Sequence, residues 1–163
     1  MRFLVLIGVL AIQVSCARLE QQTPEPQIAS CVDGRVAVLP GPTSEPLIQT
    51  TEGRFIAVGE DASELTRLES GEVEVCGEIT RVSPIGRIDL LSYRVVRMNG
   101  VPAWSGVLIA KAQTIYLQTE DDRLPLSGPT DSLVPLVGGK VWVSGERVAE
   151  GVRLSSFGLI RAP

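Results

Sequence analysis

Short runs of apolar and β-branched residues recur along the chain, and turn residues separate them. Runs of this length with period-two alternation are typical of β-strands. We predict strands in the first half at residues 36–39, 47–50, 54–58, 73–80 and 87–98, and in the second half at 107–111, 114–119, 123–126, 140–146 and 152–161. The pattern therefore predicts an all-β protein.

The second half of this pattern repeats the first half in the same order. Residues 48–55 return as 117–124, residues 71–78 return as 139–146, and residues 88–97 return as 152–161. The middle pair reads GEVEVCGE in the first copy and GKVWVSGE in the second. Three matched blocks in one order indicate a duplicated module.

The apolar period changes between the third and fourth strands of each copy. Residues 61–64, Asp-Ala-Ser-Glu, have the spacing of a capping box, and Leu65 and Leu68 follow on one face of a short helix. In the second copy Leu133 and Leu136 repeat this face. Each copy is therefore expected to run β-β-β-α-β-β.

The fifth strand of each copy changes its apolar parity halfway along. Residues 88–90 place their apolar side chains on one parity, and residues 93–95 place theirs on the other. A β-bulge near Ser92, and near its counterpart Ser156, would reconcile the two parities. The alternative is a strand that is buried on both faces.

The order of elements in each copy is that of the OB-fold, a five-stranded Greek-key barrel. On this order, and on the paired G-x-V-x-V-x-G-E segments, the chain resembles bacterial exported OB-fold proteins, particularly small envelope lipoproteins built from such modules. The resemblance covers most of residues 34–163. It implies two tandem small five-stranded OB-like barrels, each with a short helix between strands three and four: module 1 at residues 34–100 and module 2 at residues 101–163.

The N-terminus has the pattern of an export signal. One basic residue precedes the apolar run 3–12, which is too short to span a bilayer comfortably, so we predict a signal peptide at residues 1–15. Cys16 follows small residues, as in the lipobox of bacterial lipoproteins, and this resemblance implies that Cys16 is lipidated. Gln13 stands where that family usually has Leu. Cleavage by ordinary signal peptidase after Ala17 is the alternative.

Residues 16–33 are predicted to form the lipid-anchor cysteine and a flexible tether, because they are polar and rich in proline and glutamine. Such a tether would hold a folded domain away from the membrane surface to which the lipid binds. The expected location is the cell envelope. In a cell with two membranes, Ala17 after Cys16 resembles outer-membrane sorting; without lipidation the protein would be secreted or periplasmic.

Two cysteines, Cys31 and Cys76, remain after either cleavage. An exported protein meets an oxidising compartment, which favours a disulfide. Cys76 alternates with Val73 and Val75, so it is expected on the charged, outward face of its strand. We predict a Cys31–Cys76 disulfide, with two free thiols as the alternative.

Composition argues against several functions. The chain has 15 basic and 19 acidic residues and no histidine, and loss of residues 1–15 leaves 14 basic residues and a net charge of −5. A negative domain with few aromatic residues is poorly suited to nucleic acid. Without histidine there is no Ser-His-Asp triad or His-based zinc site, and we expect no cofactor, no metal and no catalysis. The alternatives are a single-stranded nucleic-acid-binding OB protein and a carboxylate- or metal-dependent enzyme that uses Asp121 and Asp122.

The candidate function is therefore binding of a protein, peptide or glycan partner. OB-folds bind ligands across strands two and three and with the loops 1–2 and 4–5. By this resemblance a site would include Arg54, Phe55, Arg81 and Arg87, although the longer loop 4–5 of the first copy is also explained as an ordinary surface loop. Trp142 lies on the outward parity of its strand, either as a binding anchor or packed against the other module.

Overall fold

A computed structural model describes residues 29–163 of the chain. The strands are β1 (Ser30–Leu39), β2 (Glu45–Gln49), β3 (Arg54–Val58), β4 (Glu72–Thr80), β5 (Gly86–Met98), β6 (Val101–Lys111), β7 (Thr114–Gln118), β8 (Arg123–Ser127), β9 (Lys140–Val148) and β10 (Gly151–Arg161). The helix α1 (Ala62–Leu65) continues into a 3-10 turn (Thr66–Leu68), and a second 3-10 helix covers Asp131–Leu136. The prediction of an all-β protein is confirmed.

The predicted signal peptide at residues 1–15, the lipidation site Cys16 and the tether up to residue 28 lie outside the described residues. β1 begins at Ser30, six positions before the predicted start of this strand at residue 36. In the described part of the chain, no helix is long and apolar enough to cross a membrane.

The first five strands close into a barrel. β1 pairs with β4 along residues 30–35 and with β2 along residues 35–39, so Arg35 is where the strand passes from one partner to the other. β2 pairs with β3, β3 runs parallel to β5, and β5 pairs with β4. Beside this crossover, a Cβ on Gly34 would lie 2.6 Å from a methyl group of Ile48, which explains why glycine stands there.

The strands of the second half have neighbours in the same order. β6 pairs with β7 and with β9, β7 pairs with β8, β8 runs parallel to β10, and β10 pairs with β9. The backbone N–H of Val36 donates to the carbonyl oxygen of Gly71 at 2.9 Å. At the matching positions of the second half, the N–H of Leu108 donates to the carbonyl oxygen of Gly139 at 3.0 Å. The duplication read from the sequence is therefore present in the hydrogen bonds.

A tight hairpin joins the two halves. Asn99 and Gly100 form its turn with φ angles of 52° and 77°, and Met98 pairs with Val101 directly beyond it. Both positive φ values are those of a two-residue hairpin turn, for which Asn-Gly is the strongest sequence signal. β6 consequently begins at Val101, not at the predicted residue 107. Residues 101–106, which were expected to connect two strands, are themselves part of the strand.

The predicted bulges are present in both copies of the fifth strand. Cys76 and Gly77 of β4 face Ser92 and Leu90 of β5, which leaves Leu91 unpaired, and the register shifts in the same way around Ser155 in β10. The glycine opposite each bulge lies so close to a backbone carbonyl that a Cβ would clash with it. The bulge thus accounts for the change of parity that the sequence shows.

The predicted capping box is wrong. Asp61 stands at the N-cap of α1 in a helical conformation and its side chain makes no capping hydrogen bond. Glu64, the other half of the motif, has its carboxylate directed to residues of the second half of the chain. Stronger tertiary partners have replaced the local bond that the spacing favours.

The predicted disulfide between Cys31 and Cys76 is confirmed. The two residues lie directly opposite each other on β1 and β4, with their Cα atoms 4.0 Å apart. In the second half the same opposing positions are Ala103 and Ser144. The disulfide is therefore a feature of the first copy.

The apolar side chains form two clusters, one in each half. The first contains Ile48, Leu65 and Ile88, and it also takes in Ala103 and Ile160 from the second half of the chain. The second cluster is formed by residues such as Leu108, Leu117 and Val141, which are fully buried. The two halves are thus packed against each other through apolar contacts.

Candidate functional site

A buried carboxylate lies where the two halves meet. Glu64 of α1 is only 7% exposed, and its two oxygens accept hydrogen bonds from three side chains. Tyr93 Oη donates to Oε2 at 2.6 Å, Lys140 Nζ donates to the same oxygen at 2.6 Å, and Arg161 Nη1 donates to Oε1 at 2.8 Å. Because Lys140 and Arg161 belong to β9 and β10, these bonds join the first half of the chain to the second. We call these four residues the junction cluster.

The charges of the junction cluster keep Glu64 ionised. Burial by itself would raise the pKa of Glu64, but hydrogen bonds from Lys140 and Tyr93 and the positive charges of Lys140 and Arg161 lower that pKa below its usual value. Burial and the neighbouring Glu64 raise the pKa of Tyr93 far above its ordinary range. Tyr93 is therefore a permanent donor at neutral pH, and Lys140 lies over its ring at 4.4 Å from the centroid.

The junction cluster occurs once in a chain that otherwise repeats itself. In the matched positions of the other copy, Glu64 corresponds to Ser132, Tyr93 to Phe157 and Lys140 to Glu72. The replacement of Glu72 by Lys140 reverses a charge between two strands that share the pattern G-x-V-x-V-x-G-E. This reversal is the signal from which sequence reasoning could have found the cluster, which it missed.

A groove of about 680 Å³ opens beside the junction cluster, between the two halves. The groove is lined by residues 93–96 of β5, residues 102–107 of β6 and residues 118–122 at the tip of the β7–β8 hairpin. Tyr93, Lys140 and Arg161 line the groove, so three of the four residues of the junction cluster are part of its surface. A groove of this size is sufficient for a segment of a peptide or for a small molecule.

The two walls of the groove carry opposite charges. The basic residues that line the groove are Arg94, Lys140 and Arg161, which we call the basic wall, and Glu74 accepts a hydrogen bond of 2.9 Å from Nε of Arg94. The hairpin side carries the three consecutive acidic residues 120–122, with Arg147 3.7 Å from Asp122. The lining of the groove thus contains both basic and acidic side chains, and we call residues 120–122 the acidic wall.

The acidic hairpin tip has a defined conformation. Thr119 Oγ1 accepts a hydrogen bond from the Asp122 N–H at 3.0 Å and lies 3.1 Å from the Asp122 carbonyl, to which it donates. Asp122 Oδ1 accepts a bond from the N–H of Arg123 at 2.7 Å. These local bonds fix the turn, so the carboxylates are presented to the groove from a rigid support.

A smaller groove of about 460 Å³ lies at the matching place in the first half. Gly34, Gln49 and Thr50 line it, and their counterparts Gly106, Gln118 and Thr119 line the larger groove. Val96 lines both grooves. The duplication therefore produced two related grooves, of which only the larger one has the junction cluster beside it.

The residues predicted from the OB resemblance are not among those that line either groove. Arg81 bonds Glu52 at 2.6 Å, which connects the β4–β5 loop to the β2–β3 hairpin. Arg87 bonds Asp89 of its own strand at 2.7 Å. Arg54 is exposed, whereas Phe55 is 3% exposed and lies in the first apolar cluster. Phe55 therefore contributes to the core and presents no ring at the surface.

Trp142 packs against the other half of the molecule. Its indole is partly buried against the first apolar cluster, and a Cβ on Gly158 would come within 2.5 Å of the indole Nε1. Trp104, by contrast, is partly buried against the second cluster and lines the larger groove.

Among residues 29–163, no group of three or more cysteine or acidic residues is arranged to hold a metal ion. A comparison of the chain with known protein families, with curated proteins and with solved structures found no match.

Proposed function

We propose that this protein is a non-catalytic, lipid-anchored protein of the cell envelope, and that it binds a protein, peptide or glycan partner in the larger groove between its two halves. The single observation that carries the binding role is the groove of about 680 Å³, which combines Trp104 with opposite charges on its two walls. Concave surfaces with a few placed polar groups are the usual binding sites of proteins.

In this proposal both halves are OB-like barrels arranged in tandem. The order of strand neighbours in the second half supports it, because it repeats the closed order of the first half. The duplication then supplied a site that one barrel does not have. A groove formed between two docked modules needs both of them, which gives the second copy a function of its own.

The anchor rests on the sequence of the N-terminus. The apolar run 3–12, the lipobox-like residues before Cys16 and the polar stretch after it are what an envelope lipoprotein requires. Metabolic labelling with palmitate tests this part of the proposal. We expect labelled wild type and unlabelled Cys16→Ser protein; an unlabelled wild type whose mature chain starts at Arg18 would overturn the anchor.

Partner capture from solubilised envelopes tests the binding role. Ser105 lines the groove, so Ser105→Arg should fill it and abolish capture, and Trp104→Ala should reduce capture. Leu91, which is 70% exposed on the bulge of β5, is the matched control, and Leu91→Asp should leave capture unchanged. Capture that survives Ser105→Arg in a folded protein, or that depends on Leu91, would contradict the proposal.

A further inference from the structure

We infer that the larger groove recognises a peptide segment that carries both a carboxylate and a basic group, with the carboxylate on the side of Arg94, Lys140 and Arg161 and the basic group on the side of the acidic hairpin. This inference rests on the proposed function and names the class of ligand for the same site.

The basic wall can still bind an anion after its internal bonds are counted. Arg94 donates from Nε and Nη2 to Glu74, Lys140 and Arg161 Nη1 each donate one hydrogen bond to Glu64, and Arg161 Nη1 also lies 3.8 Å from Asp61. An ammonium has three hydrogens and a guanidinium has five, so each cation keeps N–H groups beyond these bonds. The Arg161 side chain is 59% exposed and that of Arg94 is 66% exposed. The Nε–Nη2 edge of Arg161 makes none of these bonds and can meet a carboxylate in the bidentate geometry that arginine favours, whereas Arg94 has its Nη1 hydrogens left for a ligand.

The acidic wall, residues 120–122 of the β7–β8 hairpin, lines the same groove as the basic wall. Residues 120–122 are consecutive carboxylates on a turn that Thr119 holds in place. Arg147 approaches only Asp122, at 3.7 Å, so the hairpin side has an excess of negative charge. A lysine or arginine side chain of a ligand, or its amino terminus, is the group that this wall attracts.

The surface between the two walls suits a polypeptide. Trp104 and Pro102 line the groove, and aromatic residues at such sites contribute contact area at low cost in side-chain entropy. A neutral glycan carries no charge that could pair with the basic or the acidic residues of the groove. A nucleic acid carries negative charge only, so it could pair with the basic residues alone. Charge complementarity therefore favours a peptide that has both signs.

The test uses four acetylated and amidated six-residue peptides built on one glycine-serine sequence with one tyrosine. One carries Glu and Lys separated by two residues, one carries Glu alone, one carries Lys alone, and one carries neither. Binding is measured by isothermal titration at low and at physiological salt. We expect the mixed peptide to bind roughly tenfold more tightly than the uncharged one, and this advantage to shrink with salt.

Paired variants assign each charge to its wall. Arg94→Gln should weaken the Glu-only peptide about two- to fivefold and leave the Lys-only peptide unchanged. The double variant Glu120→Gln and Asp121→Asn should have the reverse effect. Arg153, which lies outside both grooves and bonds Glu146 at 3.0 Å, supplies the control Arg153→Gln, which should change neither affinity.

Two sets of results would overturn the inference. If no peptide binds, or if all four bind alike, charge recognition fails; if chitotetraose or an oligonucleotide binds in their place, the ligand class is wrong. In each of these cases the proposed function still stands if Ser105→Arg abolishes partner capture. If Ser105→Arg leaves capture unchanged as well, both proposals fall together.

Discussion

At the scale of the residue, Glu64 shows how a tertiary contact overrides a local rule. Its position three residues after Asp61 is that of a capping residue, yet its carboxylate bonds Tyr93, Lys140 and Arg161. A buried carboxylate needs such partners, because an unpaired charge in the interior is costly. Propensity could not reveal these bonds, since the two cations stand 76 and 97 positions further along the chain.

Replacement of Glu64 should weaken the contact between the two halves. Glu64→Gln leaves Lys140 with a neutral partner, and we expect the free energy of unfolding to fall by about 1–3 kcal/mol, a range reduced by the exposure of Arg161. Urea denaturation measures this value. Glu60→Gln, at an exposed position four residues earlier, is the matched control and should change stability by less than about 0.5 kcal/mol. Equal stability of both variants would show that the junction cluster does not stabilise the fold.

The same carboxylate should also affect stability at acid pH. Its pKa is lowered in the folded state, so its contribution is fully present above the unfolded value near 4.5 and is lost as pH falls through the lower folded value. Wild type should therefore lose stability more steeply below about pH 5 than Glu64→Gln does. Asp89, whose hydrogen bond from Arg87 lowers its pKa, acts in both proteins and cancels in the comparison. If the free energy of unfolding of the two proteins fell equally steeply below about pH 5, this expectation would be contradicted.

At the scale of the element, the alternation of side chains was the most reliable signal. It predicted the strands to within a few residues in most cases, and the parity change at residues 88–95 predicted the bulge in β5. It failed at the start of β6, because the turn at Asn99 and Gly100 was not used as a hairpin signal. Local pattern thus defines strands well, whereas the ends of strands depend on turn chemistry.

The glycines opposite the bulges should resist substitution. A Cβ on Gly77 would clash with the carbonyl of Asp89, and one on Gly145 would clash with that of Arg153. We expect Gly77→Ala and Gly145→Ala each to lower the free energy of unfolding by about 2–3 kcal/mol in denaturant titrations. Gly41→Ala is the control, because the nearest atom there lies at 3.5 Å, an ordinary contact distance. Similar values for all three variants would refute the tight packing at the bulge.

The contribution of the disulfide to stability can be tested by giving the first half the residues that stand at the matching positions of the second half. Replacing Cys31 by Ala and Cys76 by Ser gives the first copy the residues that the second has at Ala103 and Ser144. A bridge that closes a loop of 45 residues contributes about 4 kcal/mol in the chain-entropy model, so the double variant should lose up to this amount. Reduction of the wild type should reproduce the loss, while the double variant should not respond to reductant. If the wild type were equally stable with and without reductant, the disulfide would not stabilise the fold.

At the scale of the whole molecule, the differences between the copies matter more than the matches. The matched residues form the frame of each half, and they could be read from the sequence. The groove could not, since its walls come from β5, β6 and the β7–β8 hairpin and depend on how the halves pack. The residues chosen by resemblance to single OB-folds, such as Arg81 and Arg87, accordingly lie away from it.

The central claim of this account is that the partner binds in the groove between the halves. Site-specific photo-crosslinking in the intact envelope tests it most directly, with benzoylphenylalanine placed at Pro102 and Glu120 in the groove and at Leu91 and Arg153 outside it. We predict one partner that crosslinks from positions 102 and 120 and from neither control position. Crosslinks of equal yield at all four positions, or crosslinks confined to positions 91 and 153, would contradict the claim.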